Sequence, residues 1–377
     1  MRNGLNTGNM SEFVNEIRTN PKEAAFIYGC RADFAADGHV EVTLETLRGG
    51  SLRIARAFKF LVSDGAPGAR QFPGPYEYLL TALGGCVIVT FVLGCSARGI
   101  TLNDLEIRLR ARVDRRRSSP LDQLHYEIAV NCASEDVVLR ELAEYVSCLS
   151  PNHRTFIDHN SYDLDVSVVD EGGQVSHREK VSPQPGGWVP DPSVGEAASE
   201  VVTRLAWKYG TQMEGRVSMS DGATLAGVVN VDQPKQALGL DFAPNPQEYL
   251  LGVLGAEYLH VLGSLARQRG VTLRRASTTL VGKLDLRGLM NVDSSVPVRV
   301  HEIGQKVEID SPQPFDEVRE LAAQAAGICI SQQTVCKEGG ISVAISNAGR
   351  LVAEFKSDKA FTSACLRRLA EAGAAHS

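Results

Sequence analysis

A stretch of 28 residues occurs twice in this chain. Residues 75–102 read PYEYLLTALGGCVIVTFVLGCSARGITL, and 171 positions later residues 246–273 read PQEYLLGVLGAEYLHVLGSLARQRGVTL, with eleven identities. Two related halves therefore carry the same long stretch. The first copy carries no charge from residue 79 to residue 96, close to the length of a membrane span. The second copy breaks the same run with Glu257 and His260, and both copies keep small residues at Gly84 and Gly85 or at Gly255 and Ala256. A helix buried inside a globular domain, apolar on every side, explains both copies, and membrane insertion does not.

The two copies differ where chemistry is at stake. Cys86 in the first is matched by Glu257 in the second. A free cysteine in an apolar helix is ordinarily an inert core residue, so Cys86 gains meaning only from its surroundings. A chain of 377 residues holds two domains with proper cores, as the repeat requires. The net charge of −6, with no strongly basic half, argues against a nucleic-acid partner, and the arginine run at 115–117 reads as a solvated turn. The opening MRNGLNTGNMSEFVNEIR lacks the apolar core of a signal peptide. Eight cysteines without a CxxC pair then read as reduced thiols, and a cytoplasmic protein is expected.

The rest of the pattern fits an α+β class. A surface helix is expected near residues 10–24, followed by strands within 24–54 around a turn at 36–38, and a further strand over 52–62. The long helix runs from Pro75 in its first turn to Gly99 at its end. Leu105, Ile107, Leu109, Ala111 and Val113 then alternate with charged residues, which makes a strand with one face on a core. A partner strand at 124–130, an amphipathic helix at 135–147 and a closing strand at 163–169 complete an antiparallel unit. Residues 171–199, rich in Gly, Pro and Ser, read as a linker. The second half repeats the order: strands within 217–230, the helix 246–270, strands at 278–284, 296–301 and 307–309, a helix at 315–326 and a strand at 341–346. The expected organisation is a domain at 1–170, the linker, a second domain at 200–354, and a C-terminal helix within 355–377.

The run PYEYLLTALGGC, followed by RGITL and an alternating strand, resembles the OsmC/Ohr family of thiol peroxidases. A later family segment of the form C-P-V-x-R-T-L is similar to SPNHRTF at 150–156, and PQEYLLGVLGA carries the resemblance into the second half. The resemblance implies an intimate pair of domains, here fused as an intramolecular pseudo-dimer, with active sites at their interface. It implies two cysteines acting in turn on an organic hydroperoxide, with an arginine lowering the thiol pKa and a glutamate holding that arginine. It implies no cofactor and no metal. The partners would be a small apolar substrate and an external thiol reductant, with neither nucleic acid nor membrane, and the fused chain could associate further. Cys86 matches the attacking cysteine and Glu77 the helix glutamate.

The departures are specific. Matching Leu142 to Leu321 and Thr155 to Thr334 sets Ser150, at the resolving position, opposite Cys329. Cys148 is the substitute resolver, although two helical positions turn a side chain by about 200°, and plain burial is the rival reading for Cys148 and Cys329. The arginine is open between Arg216, assigned to Cys86 across the interface, and Arg31 and Arg70. Glu257 and His260 have the spacing of a carboxylate–histidine metal pair, but a buried carboxylate meeting an arginine is the preferred reading. Two functions stand: reduction of organic hydroperoxides through Cys86, or a relative without peroxidase activity. The latter would bind a small apolar molecule or perform another thiol-based biosynthetic step.

Overall fold

A computed structural model describes residues 1–35, 38–63, 72–114, 118–169, 174–184, 198–218 and 228–374. The arginine run at 115–117, Arg70, part of the expected 36–38 turn and most of the expected linker lie outside these residues. The first half gives α1 (Thr7–Thr19), β1 (Ala25–Phe34), β2 (Val40–Leu44), β3 (Leu47–Gly49), β4 (Leu52–Ile54), β5 (Lys59–Val62), α2 (Pro75–Ala97), β6 (Leu102–Asp114), β7 (Asp122–Cys132), α3 (Asp136–Leu149), α4 (Pro151–Ile157), β8 (Tyr162–Val169) and β9 (Val175–Val181). The second gives β10 (Ala198–Tyr209), β11 (Gln212–Ser218), β12 (Val229–Val231), α5 (Pro246–Arg269), β13 (Arg275–Asp285), α6 (Leu286–Leu289), β14 (His301–Asp310), α7 (Phe315–Ile328), α8 (Ile330–Cys336), β15 (Gly340–Asn347), β16 (Arg350–Asp358) and α9 (Lys359–Ala374). The class is α+β.

The long helices form as their sequences demand. Proline opens each at its first position, where a missing N–H costs nothing. At α5, Asn245 and Glu248 close a capping box. Each helix ends at a glycine in the left-handed region, Gly99 (φ 78°) or Gly270 (φ 69°), which a side chain would resist. Both are long and apolar enough to cross a membrane, but their apolar windows are 100% and 89% buried inside the protein.

The sheets do not follow the halves, and here the structure corrects the expectation of one sheet per half. One sheet runs β4-β3-β1-β13-β14-β8-β9, with β2 also paired to β1 and β5 to β2; the other runs β12-β11-β10-β6-β7-β15-β16. Thus β1 of the first half pairs with β13 of the second, and β10 of the second with β6 of the first. Nor is either sheet wholly antiparallel, since β8 runs parallel to β14 and β15 to β7. From β1 and β10 onward the two orders correspond, β1-β13-β14-β8-β9 with β10-β6-β7-β15-β16, and β2 with β5 matches β11 with β12, while β3 and β4 have no counterpart among the described residues. Each sheet carries one of the two long helices, α5 over β1 and β13 and α2 over β10 and β6, and these two helices pack on each other between the sheets. Tyr78 and Tyr249, equivalent in the repeat, stack there at 5.4 Å.

Other boundaries moved for physical reasons. Within the expected linker, β9 is an exposed strand paired to β8, whose polar sequence VSHREKV hid it. Residues 296–300 are irregular, and the strand starts only at His301. The C-terminal segment first adds β16 to the sheet edge, and α9 then packs on α3. A disulfide between Cys148 and Cys365, with Cα atoms 6.4 Å apart, joins these helices. The expectation of eight reduced thiols therefore fails for this pair.

The glycines of the repeat set how closely helix and sheet approach. A Cβ on Gly84 would lie 2.5 Å from Leu205 and 2.7 Å from Leu109, and one on Gly255 would lie 2.6 Å from Leu280. Gly84→Val is expected to cost about 1–3 kcal/mol of stability through overpacking, read as a lower urea midpoint. An unchanged midpoint would show that the sheet yields freely there.

Candidate functional site

Cys86 sits halfway along α2, 3% exposed. Its Sγ accepts the Asn152 backbone N–H at 3.3 Å and the Gln247 side-chain amide at 3.4 Å. Asn152 belongs to α4 and Gln247 to the first turn of α5, so both halves build the pocket. The Asn152 side chain fastens the three helices by donating to Ala82 O (2.8 Å) and Pro246 O (3.0 Å). Ser150 Oγ is buried without a formed hydrogen bond, near enough to favour the thiolate. Burial outweighs these donors and pushes the thiol up to about 11.

The arginine of this neighbourhood is Arg56, which sequence reasoning missed. It lies between β4 and β5 with its side chain fully buried. Nε and Nη2 donate to the two Glu248 oxygens at 2.7 and 2.8 Å, and Nη1 pairs with Asp241. The bidentate geometry is that of a fixed guanidinium. Gln247, which donates to Cys86, is followed in α5 by Glu248, so the Arg56–Glu248 pair lies one residue along the helix from the thiol's donor. The carboxylate that holds an arginine near Cys86 is therefore Glu248, the repeat partner of Glu77. Glu77 is buried beside Tyr76, about 13 Å along α2 from Cys86.

The remaining assignments are corrected by position. Arg216 is 70% exposed near Glu214, and Arg31 is bound to Asp33, Glu308 and Ser277 at a sheet surface. The strand registers make Arg204, not Arg216, the counterpart of Arg31. Cys148 is bridged to Cys365 and does not resolve Cys86. His260 Nε2 lies 3.3 Å from Val62 O, while Glu257 turns to different partners. Neither Arg31 nor any other arginine is hydrogen-bonded to Glu257 among the described residues.

Glu257 occupies the second pocket, equivalent to that of Cys86. It accepts the Ile330 and Ser331 N–H groups at 2.9 and 2.7 Å and the Tyr76 hydroxyl at 3.0 Å. Tyr76 is the repeat partner of Gln247, and Ser331 corresponds to Asn152. Pro151 stands where Ile330 does, and having no N–H it leaves Cys86 with one backbone donor where Glu257 has two. Cys329 caps α8 beside this pocket as Ser150 caps α4, its thiol donating to Ala325 O at 3.1 Å. Burial, with the Glu257 charge, raises the Cys329 thiol. Cys86 and Cys329 thus lie in separate pockets. Sequence alignment of the halves already foreshadowed that split; Gln247 and Glu248 were legible only by reading each half as a donor to the other's site, and Asn152 lay unremarked within the SPNHRTF segment of the same half as Cys86.

Burial lifts the Glu257 carboxyl above its ordinary 4.5, against the three donors. Its contribution to stability is then complete below the ordinary value and declines as pH rises through its own. Glu257→Gln should remove that decline and cost about 1–3 kcal/mol, because an amide N–H meets the backbone donors. Urea titrations between pH 4 and pH 9 check this; an unaltered pH profile would contradict it.

Residues 68–166 match the family model described as OsmC-like protein. Among solved structures, the OsmC-like protein from Mycoplasma pneumoniae is similar at 19% identity, covering 34% of this chain and 84% of that one, with a TM-score of 0.26. No curated protein matches the chain. The stretch that holds Cys86, Ser150 and Asn152 is similar to OsmC-like proteins.

Proposed function

We propose that the chain reduces apolar organic hydroperoxides at one site, with Cys86 as the attacking thiol. The observation that carries this reading is the setting of Cys86: a buried mid-helix thiol, held by Asn152 and Gln247, in the region of the Arg56–Glu248 pair. The sulfur attacks one peroxide oxygen and the O–O bond breaks. Cys86 becomes a sulfenic acid, and the alkoxide leaves as the alcohol with the thiol's proton. Sulfur loses two electrons and the peroxide gains them. An external thiol then condenses with the sulfenic acid, releasing water, and a second external thiol restores Cys86 and leaves as a disulfide. The external resolver follows from Ser150 at the resolving position and from the bridge that occupies Cys148.

On this reading the halves stand as two fused OsmC-like domains, near 1–170 and 200–354, with Glu257 closing the second site to thiol chemistry. The corresponding strand orders and the shared pockets support it. A second reading, a relative without peroxidase activity that binds a small apolar molecule or performs another thiol-based step, draws on the protonated thiol and the absent second cysteine.

Turnover of cumene hydroperoxide with excess dithiothreitol separates the two. With the thiol near 11, the thiolate fraction grows about tenfold per pH unit, and the attack-limited rate should follow it from pH 7 to pH 10. Cys86→Ser should abolish turnover, whereas Cys365→Ser should retain it. No turnover by the parent chain at any pH favours the second reading, and full activity in Cys86→Ser rejects the first.

A further inference from the structure

A cavity of about 470 Å³ opens at the C-terminal end of α5. Phe34, Ala266, Val271 and Leu273 give it apolar walls, and Arg267 and Arg275 stand over it. Those two arginines form no ion pair among the described residues. Of the other charges at the rim, Asp33 is held by Arg31 at 2.9 Å, and Arg274 lies 3.4 Å from Asp310.

The equivalent place at the end of α2 is filled by the chain's own N-terminal segment. Asn3 donates to Ile100 O at 2.9 Å and to Ser96 Oγ at 3.1 Å, and accepts the Leu102 N–H at 2.9 Å. Gly210 donates to Asn3 O at 3.0 Å, and Leu5 is buried. By the repeat, Ile100, Leu102 and Ser96 correspond to Val271, Leu273 and Arg267. By the strand registers, Trp207 corresponds to Phe34. The turns also match: Ile100 N bonds Cys95 O, and Val271 N bonds Ala266 O, both at 2.9 Å. No protein group among the described residues hydrogen-bonds the Val271 carbonyl or the Leu273 N–H.

We infer that the groove at the end of α5 is a docking site for a peptide segment of a partner protein, one that carries an amide side chain and an apolar anchor between acidic residues. The amide would span Val271 O and Leu273 N as Asn3 spans Ile100 O and Leu102 N. The apolar side chain takes the place of Leu5 against Phe34 and Ala266. Arg267 stands where the first groove has a serine, and with Arg275 it selects carboxylates. The chain's own N-terminus, with Arg2 beside the groove it fills, has the wrong charge for this one.

The probe is a fluorescein-labelled peptide, Glu-Asp-Asn-Gly-Leu-Glu-Glu, titrated with the full chain and read by anisotropy. Saturable binding is expected. It should weaken at least about tenfold for the double variant Arg267→Glu with Arg275→Glu, and likewise when the peptide leucine becomes alanine. The thermal midpoint should stay in place, since both arginines are unpaired surface groups. The inference is overturned by no saturable binding up to about 1 mM, or by indifference to the charge reversal. Displacement by decanoate at equal affinity also overturns it, since that marks a site for small anionic amphiphiles.

Discussion

Two long helices without a polar face have to be covered on every side, and the rest of the structure is arranged to do it. A sheet covers one side of each and the other helix covers the opposite side. Burying each large apolar side chain along them contributes about 1.5–3 kcal/mol, provided the layers meet without gaps. Gly84 and Gly255 allow that contact by leaving room for Leu205, Leu109 and Leu280. Packing the helices on each other has a chemical consequence. The first turn of each arrives at the middle of its neighbour, so Gln247 reaches Cys86 and Tyr76 reaches Glu257.

The two resulting pockets share one plan and diverge in what they hold. Each is bounded by the first turn of a short helix, α4 or α8, and by a side chain from the opposite long helix. One encloses a thiol with a single backbone donor, the other a carboxylate with two. A carboxylate so bound is satisfied and has nothing further to give. The thiol is weakly held and kept protonated by burial, so its chemistry depends on reaching the thiolate. The buried Arg56–Glu248 pair stands in the Cys86 region, and its carboxylate comes from the half that lacks the cysteine.

Much of this was legible in the sequence. The repeat announced both long helices, and the alternation of Leu105 to Val113 placed their side chains on the buried face, as found. The matched segments placed Ser150 and Cys329 in equivalent positions, and they are the caps of equivalent helices. Strand exchange was not legible, because local pattern specifies a strand and not its neighbour. That is why Arg216 looked plausible and Arg56 did not: Arg56 precedes a short strand with no motif around it, and only the fold brings Glu248 to it. The Cys148–Cys365 bridge spans 217 positions and joins a helix to a segment outside the repeat, so no spacing rule could have paired them.

Thiol chemistry is proposed for Cys86 alone. The most direct measurement is peptide mass mapping after one equivalent of cumene hydroperoxide, with dimedone present to trap sulfenic acid and no external thiol. A dimedone adduct on Cys86 is expected, with Cys329 unmodified and Cys148 still bridged to Cys365. An adduct on Cys329, or a new disulfide joining Cys86 to another cysteine of the chain, would contradict it.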